Sequence, residues 1–202
     1  MVLTHPLTIA AASVFIAIST QSQALALVNS SKSVLNLVSS NTRIQAPKQP
    51  ILIAEDNTYW GPERDFQIFM PGEVIKNTLD QLTSISANQR VYTIIHRNFP
   101  QASSIPIPQL RQVLRTAMRE TIGRQGKIIQ TTNLVINKHP GLQLLIQHSD
   151  GTLGQYRAFV VNQRLYFMGT VTKDELTTES VDFFDSFRVY PERIPYSNLN
   201  FY

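Results

Sequence analysis

Two hydrophobic periods alternate along the chain, and the places where one gives way to the other mark its elements. Over residues 109–122 the apolar positions are Leu110, Val113, Leu114, Ala117, Met118 and Ile122, the three- and four-residue spacing of a single helix face. Pro108 stands where a first helical turn tolerates proline, and Gly123 supplies a C-terminal stop. On either side the period shortens to that of strands. Upstream, FQIFM (66–70) alternates and runs into a turn at Pro71 and Gly72; QLTSIS (81–86) and VYTIIHR (91–97) follow, joined by a polar ANQ. Downstream come KIIQTTNLVIN, LQLLIQH, TLGQYRAFVV and RLYFMGTVT, with turns expected at His139-Pro140-Gly141, Ser149-Asp150-Gly151 and Asn162-Gln163. VDFFDSFRV (181–189) then sets three phenylalanines close together. A helix starting near Thr178, capped by that residue's oxygen, aligns Val181, Phe184 and Phe187, or Ser180, Phe183 and Phe187. Those rings are expected to fasten a last helix to the sheet, each contributing roughly 1.5–3 kcal/mol on burial. The predicted fold class is α+β, a single antiparallel sheet of about six to seven strands flanked by helices.

The beginning of the chain has another texture. LTIAAASVFIAI (7–18) is an apolar run of twelve, too short to span a bilayer as a helix and suited to the core of a signal peptide. Polar STQSQ follows, then Ala24, Leu25 and Ala26, a small-x-small pattern that places the mature start at Leu27; only His5 stands where Lys or Arg would precede the core. Residues 27–57 are rich in Ser, Asn, Gln and Pro and read as a flexible polar linker, with ILIA (51–54) able to add a short strand. The expected organisation is a signal peptide over 1–26, a linker over 27–57, an α+β domain over 58–190 and an aromatic tail over 191–202. The mature protein is expected to be exported, to the periplasm or a thylakoid lumen, with no permanent membrane anchor after cleavage.

Composition narrows the classes. A hydrophobic content of 43% and a charged content of 16% over 202 residues fit one well-buried domain. Residues 1–26 hold no Lys, Arg, Asp or Glu, so the rest of the chain keeps all 18 basic and 14 acidic residues and is mildly basic. That balance suits an acidic partner surface or an anionic membrane face. The chain has no cysteine, which excludes disulfides, thiolate metal sites, cysteine nucleophiles and a lipid-modified N-terminal cysteine.

The motifs carry little catalytic chemistry. GRQGK (123–127) lacks the glycine spacing of a phosphate loop, and Ile128 stands where such a loop has Ser or Thr. There is no G-x-S-x-G and no H-E-x-x-H, and no enzyme activity is expected. His139, His148 and Asp150 lie near the ends of one predicted hairpin, where a turn could gather them around a divalent metal; solvated turn residues are the preferred reading, and no cofactor is expected. Arg111, Arg115 and Arg119 recur every fourth position, read as the helix face opposite its apolar stripe, with Arg124 and Lys127 just beyond. Such a ridge is either a solvated face or a docking surface for acidic protein or lipid, and Arg111, Arg115, Arg119 and Arg124 are the candidate partner-binding residues. Aromatics that would stack on bases do not interleave with it, so no nucleic acid is expected. The terminal YPERIPYSNLNFY, with its aromatics between prolines, reads as a tail that packs on its own domain or meets a partner.

Strand, strand, strand, helix, four strands and helix, with MPG closing the first strand, YRAFVVNQRLYFM across the last hairpin and FFDSFRV in the last helix, resembles the PsbP-like family. These are small exported domains best known from the extrinsic protein of photosystem II on the lumenal side of the thylakoid, with many cyanobacterial relatives. The resemblance covers about residues 60–190 and rests on Pro71, Gly72, Arg164, Leu165, Tyr166, Phe183, Phe184, Ser186 and Phe187. It implies a PsbP-like sandwich and a non-enzymatic protein that docks on, or helps assemble, a membrane protein complex. A periplasmic ligand-binding or hydrolytic domain is the alternative. Relatives of this type are often anchored through a cysteine, which this chain lacks.

Overall fold

In a computed structural model of the protein the described residues are 57–123, 126–173 and 177–194, together with the backbone of 51–53. The expected signal peptide, nearly all of the linker, Arg124 and the tail beyond Ile194 lie outside them.

Eleven strands and two α-helices follow one another as β1 (Ile51–Ile53), β2 (Thr58–Trp60), β3 (Phe66–Phe69), β4 (Glu73–Asn77), β5 (Gln81–Ile85), β6 (Val91–Asn98), α1 (Ile107–Ile122), β7 (Lys127–Ile136), β8 (His139–Gln147), β9 (Leu153–Val161), β10 (Arg164–Thr172), α2 (Thr178–Asp185) and β11 (Arg188–Val189). The α+β class agrees with the sequence reading, but the single sheet does not. There are two sheets, one of seven strands in the order β4-β5-β6-β10-β9-β8-β7 and one of four in the order β1-β2-β3-β11. The second contains the expected FQIFM strand as β3 and the short strand at 51–53 as β1. That they pair with β2 and β11 in a separate sheet was hidden, because β2 and β11 are three and two residues long and display no period. Every adjacent pair is antiparallel.

The large sheet separates two cores. On one face α1 buries Leu110, Leu114 and Met118 against Leu142, Leu144, Ile146, Ala158 and Phe167. On the other, the small sheet and α2 bury Phe66, Ile68, Phe183, Phe184 and Phe187 against Tyr92, Ile94, Phe159, Tyr166 and Met168. The central strands are thus buried on both faces, and β9 and β10 accordingly read as near-continuous apolar runs.

Several local expectations shift. Thr177, in extended backbone, caps α2 by accepting from the Ser180 N–H, one residue ahead of the expected Thr178. Phe187 lies beyond the helix end and Val181 is largely exposed, so the buried line is Ser180, Phe183 and Phe184 with Phe187 added by the turn that follows. Ser186 ties that turn down, since its Oγ accepts from the Phe69 N–H at 2.9 Å and donates to the Phe183 carbonyl at 2.8 Å. In α1, Val113 is exposed and the stripe narrows to Leu110, Leu114, Met118 and Thr121. The expected turn at His139-Pro140-Gly141 falls two residues earlier, at Asn137 and Lys138, whose φ values of 47° and 67° suit a two-residue hairpin. Pro140 fits within β8 because the pairing of β8 with β9 begins only at Gly141.

β4 was not foreseen, because a strand exposed along most of its length has no apolar alternation. Gly72 permits its entry. With φ at +77°, a Cβ there would lie 2.1 Å from the Ile85 carbonyl oxygen.

Phe187 meets Tyr166, Phe159 and Phe66 at ring separations of 5.4, 5.9 and 6.2 Å. Phe187→Ala is expected to cost about 3–5 kcal/mol in denaturant unfolding with little change of the m-value, the cost of an aromatic cavity between two sheets.

Candidate functional site

Three polar features stand out: a buried ionic cluster under the small sheet, a histidine–tyrosine pair at one end of the large sheet, and the arginine line on α1.

Arg164 and Tyr166 face inward from β10, on the side of the small sheet. The Arg164 guanidinium, 3% exposed, donates to Asp65 Oδ2 at 3.0 Å, to Glu63 Oε2 at 2.9 Å and to Asn98 Oδ1 at 2.9 Å. Asp65 is fully buried and also accepts from the Tyr166 hydroxyl at 2.5 Å. Its backbone carbonyl takes the Tyr190 N–H at 2.8 Å. The cluster therefore pins the β2–β3 loop and the exit of β11 onto the large sheet. His96, facing the same way from β6, packs against the Phe66 ring at 5.1 Å, and burial lowers its proton affinity despite the nearby Asp65 carboxylate. Burial, then the Asp65 carboxylate, raise the Tyr166 phenol far above its ordinary range and keep it a donor. Asp65, Arg164 and Tyr166 are buried and only Glu63 and Asn98 reach solvent, so the cluster holds the two sheets together as a clasp.

The sequence reading passed over this cluster. Its signal was an arginine at an inward alternation position of a buried strand, which requires a carboxylate partner from elsewhere in the chain.

At the far end of the large sheet, His148 Nε2 lies 2.9 Å from the Tyr156 hydroxyl. The Tyr156 ring covers Gly169 and Gly154, where a Cβ would come within 2.7 and 2.4 Å of it, so the glycines make room for the ring. Asp150 is engaged by the Thr152 hydroxyl and N–H, which hold its carboxyl below the usual range. His139, by contrast, opens β8 at its other end, opposite Ile136. The three candidate metal ligands are not brought together: the length of β8, roughly 25–30 Å at 3.3 Å per residue, separates His139 from the other two. Among the described residues no three His, Asp or Glu converge as a metal site.

The arginines of α1 are placed differently from the expectation of an opposite face. Each follows a stripe residue by one position, so Arg111, Arg115 and Arg119 flank the buried line of Leu110, Leu114 and Met118. Arg119 is half-buried and donates from both terminal nitrogens to the Gly126 carbonyl at 3.3 Å, just ahead of β7. The line therefore runs along the side of the helix nearest β7. Arg115 is exposed and Arg111 half-buried. Among the described residues neither has a carboxylate within salt-bridge distance, as is also so of Arg64 and Arg188, whereas Arg90, Arg97, Arg157, Arg164 and Arg193 do. Exposed Ile107 and Val113 lie on the same helix. Of the polar features, this uncompensated flank is the one open to a partner.

Two outcomes test the clasp. Asp65→Asn is expected to cost about 3–5 kcal/mol, since it leaves the Arg164 charge buried without its carboxylate; equilibrium unfolding measures it. His96 remains neutral in the folded chain below its ordinary value of 6.5, while the unfolded chain takes up the proton. Its contribution to stability is complete above that pH and is lost as pH falls through 6.5 toward the lowered folded value, so a thermal-melt series should show a steeper acid loss in the parent than in His96→Gln.

No family model matches the chain, and no curated protein matches it. Solved structures do. The solution structure of cyanobacterial PsbP from Synechocystis sp. PCC 6803 aligns over 76% of this chain and 99% of its own, with 11% identity and a TM-score of 0.46. A Bacteroides thetaiotaomicron crystal structure aligns over 66% of this chain and 48% of its own, with 8% identity and a TM-score of 0.40. PA94 of Pseudomonas aeruginosa, a protein of unknown function, aligns over 57% and 71%, with 12% identity and a TM-score of 0.33. The first bears the family name that the motifs of this sequence resemble; at these scores all three are loose likenesses in the course of the chain and carry no statement about function.

Proposed function

We propose that the protein is a non-catalytic, exported binding module that docks on the acidic surface of a membrane-associated protein complex. The observation that carries this reading is the flank of α1, where Arg111 and Arg115 stand, among the described residues, without carboxylate partners, and where exposed Ile107 lies one turn before Arg111. Arg111 and Arg115, with no carboxylate beside them among the described residues, have charge left to meet an acidic surface from outside. Ile107 gives such a contact an apolar component, and the cations give it orientation. Export rests on the apolar run at 7–18 and the Ala24-Leu25-Ala26 site; association with a photosystem-type complex rests on the resemblance of the sequence motifs.

The test reverses charge where the fold does not use it. Arg111→Glu with Arg115→Glu should release the protein from its native membranes at lower salt than the parent, while the melting temperature stays within the small range expected of surface changes, about 0.5 kcal/mol each. Arg119 is left intact because it holds Gly126. Membrane co-purification that is indifferent to both substitutions and to salt would remove the docking reading.

A further inference from the structure

A sheet edge offers unpaired backbone groups to any extended chain, and proteins usually blunt it. This domain has four edges. β1 and β11 are three and two residues long, and β4 carries Glu73 and Lys76 with a bulge between Val74 and Lys76. β7 is the exception. It is ten residues long, among the described residues it pairs only with β8, and from Ile128 to Asn137 it holds no charge, proline or glycine. Its one irregularity lies between Ile128 and Gln130, leaving a regular run from Gln130 to Ile136 in which Val135 is 67% exposed.

The register fixes which groups are free. Ile136 and His139 flank the two-residue turn and bond to each other, so alternation turns the N–H and C=O of Val135, Asn133 and Thr131 outward. The same three residues lie opposite Pro140, Leu142 and Leu144, so their side chains stand on the α1 face of the sheet. That is the face over which Arg111 and Arg115 line the near side of the helix. Lys127 and Lys138 close the two ends of the run, and neither β7 nor its turn contains an acid.

We infer that the open edge of β7 receives an extended segment of a partner protein as an added strand, with acidic residues at alternate positions facing the α1 arginines. This rests on the docking reading above and names the part of the partner that docks. The added strand would lie two strand spacings from β8, roughly 10 Å, a gap that arginine side chains reaching out from α1 help to bridge. Its other face would meet Leu134 and Ile136, both partly buried against the aromatic core, and so favours apolar residues there. Backbone pairing supplies affinity and the alternation supplies selectivity. A second copy of this chain is disfavoured, because two-fold pairing of β7 is antiparallel and would bring Lys127 of each copy toward Lys138 of the other, like charge against like at both ends, with no acid on either strand.

The test pans the full chain against displayed random peptides of about twelve residues, long enough for one strand, then follows amide exchange with the enriched peptides bound. The expected peptides carry Asp or Glu at every second position and slow the amides of Thr131, Asn133 and Val135. Asn133→Pro removes one outward donor and no bond to β8, and should weaken binding ~10-fold or more. Peptides N-methylated at alternate residues, tried on the unchanged chain, should lose binding too and do not depend on how that variant folds. Peptides that bind without slowing those amides would overturn the edge inference and leave the docking reading standing. Enrichment without acidic alternation would overturn it as well, as would edge amides already slow in the free chain, which would mean that a second copy or a terminus of the chain occupies the edge. The docking reading itself fails separately, through membrane association indifferent to Arg111 and Arg115.

Discussion

Phe187 meets Phe66, Phe159 and Tyr166, and through that contact a sheet of two- to four-residue strands is held against a sheet of seven. Strands this short have too few ladder bonds to stand alone. They persist because β2, β3 and β11 contribute Tyr59, Phe66, Ile68 and Val189 to a core shared with β6, β9 and β10. α2 serves the same seam, delivering Phe183 and Phe184 from its buried side while its Ser186 turn bonds to β3. The burial of apolar area is non-directional, however, and by itself would let the small sheet slide.

Direction comes from the Asp65–Arg164 cluster. A buried ion pair adds little net stability over a well-packed apolar pair, but it tolerates only the arrangement that keeps its charges matched. Here Asp65 joins Arg164, Tyr166 and the Tyr190 N–H, so the β2–β3 loop, β10 and the exit of β11 share one set of hydrogen bonds. The charged residues most deeply buried among those described thus serve register and position. This division leaves the proposed docking role to the surface, where the α1 arginines line the side of the helix nearest the β7 edge.

How much was legible follows from how local each signal is. The seven long elements, α1 and β5 to β10, were recognisable because each keeps one hydrophobic period for at least five residues. The Phe183-Phe184-Phe187 cluster was recognisable as core because so much aromatic area has few places to go but inward. β2, β4 and β11 were not, since exposed or very short strands carry no period of their own, and although β3 and the short strand at 51–53 were expected, nothing local said that they form a sheet apart. The turn at Asn137–Lys138 was misplaced by two residues because Pro140 and Gly141 are strong breakers locally, yet one can enter a strand where no ladder bond is asked of it. The arginine line was found, but its face was assigned wrongly: spacing of four places residues in a row without saying how far that row lies from the buried one.

The sequence by itself determined the class of the fold, the amphipathic helix, the aromatic fastening and the row of arginines at four-residue spacing, because these are properties of neighbouring residues and their periods. Only the tertiary structure decided that there are two sheets, that Arg164 finds Asp65 from 99 positions away, and that His139 and His148 are held apart. It also set the α1 arginines beside an unguarded edge. Those are meetings between distant segments, and the energy that selects them belongs to contacts that no stretch of chain contains alone.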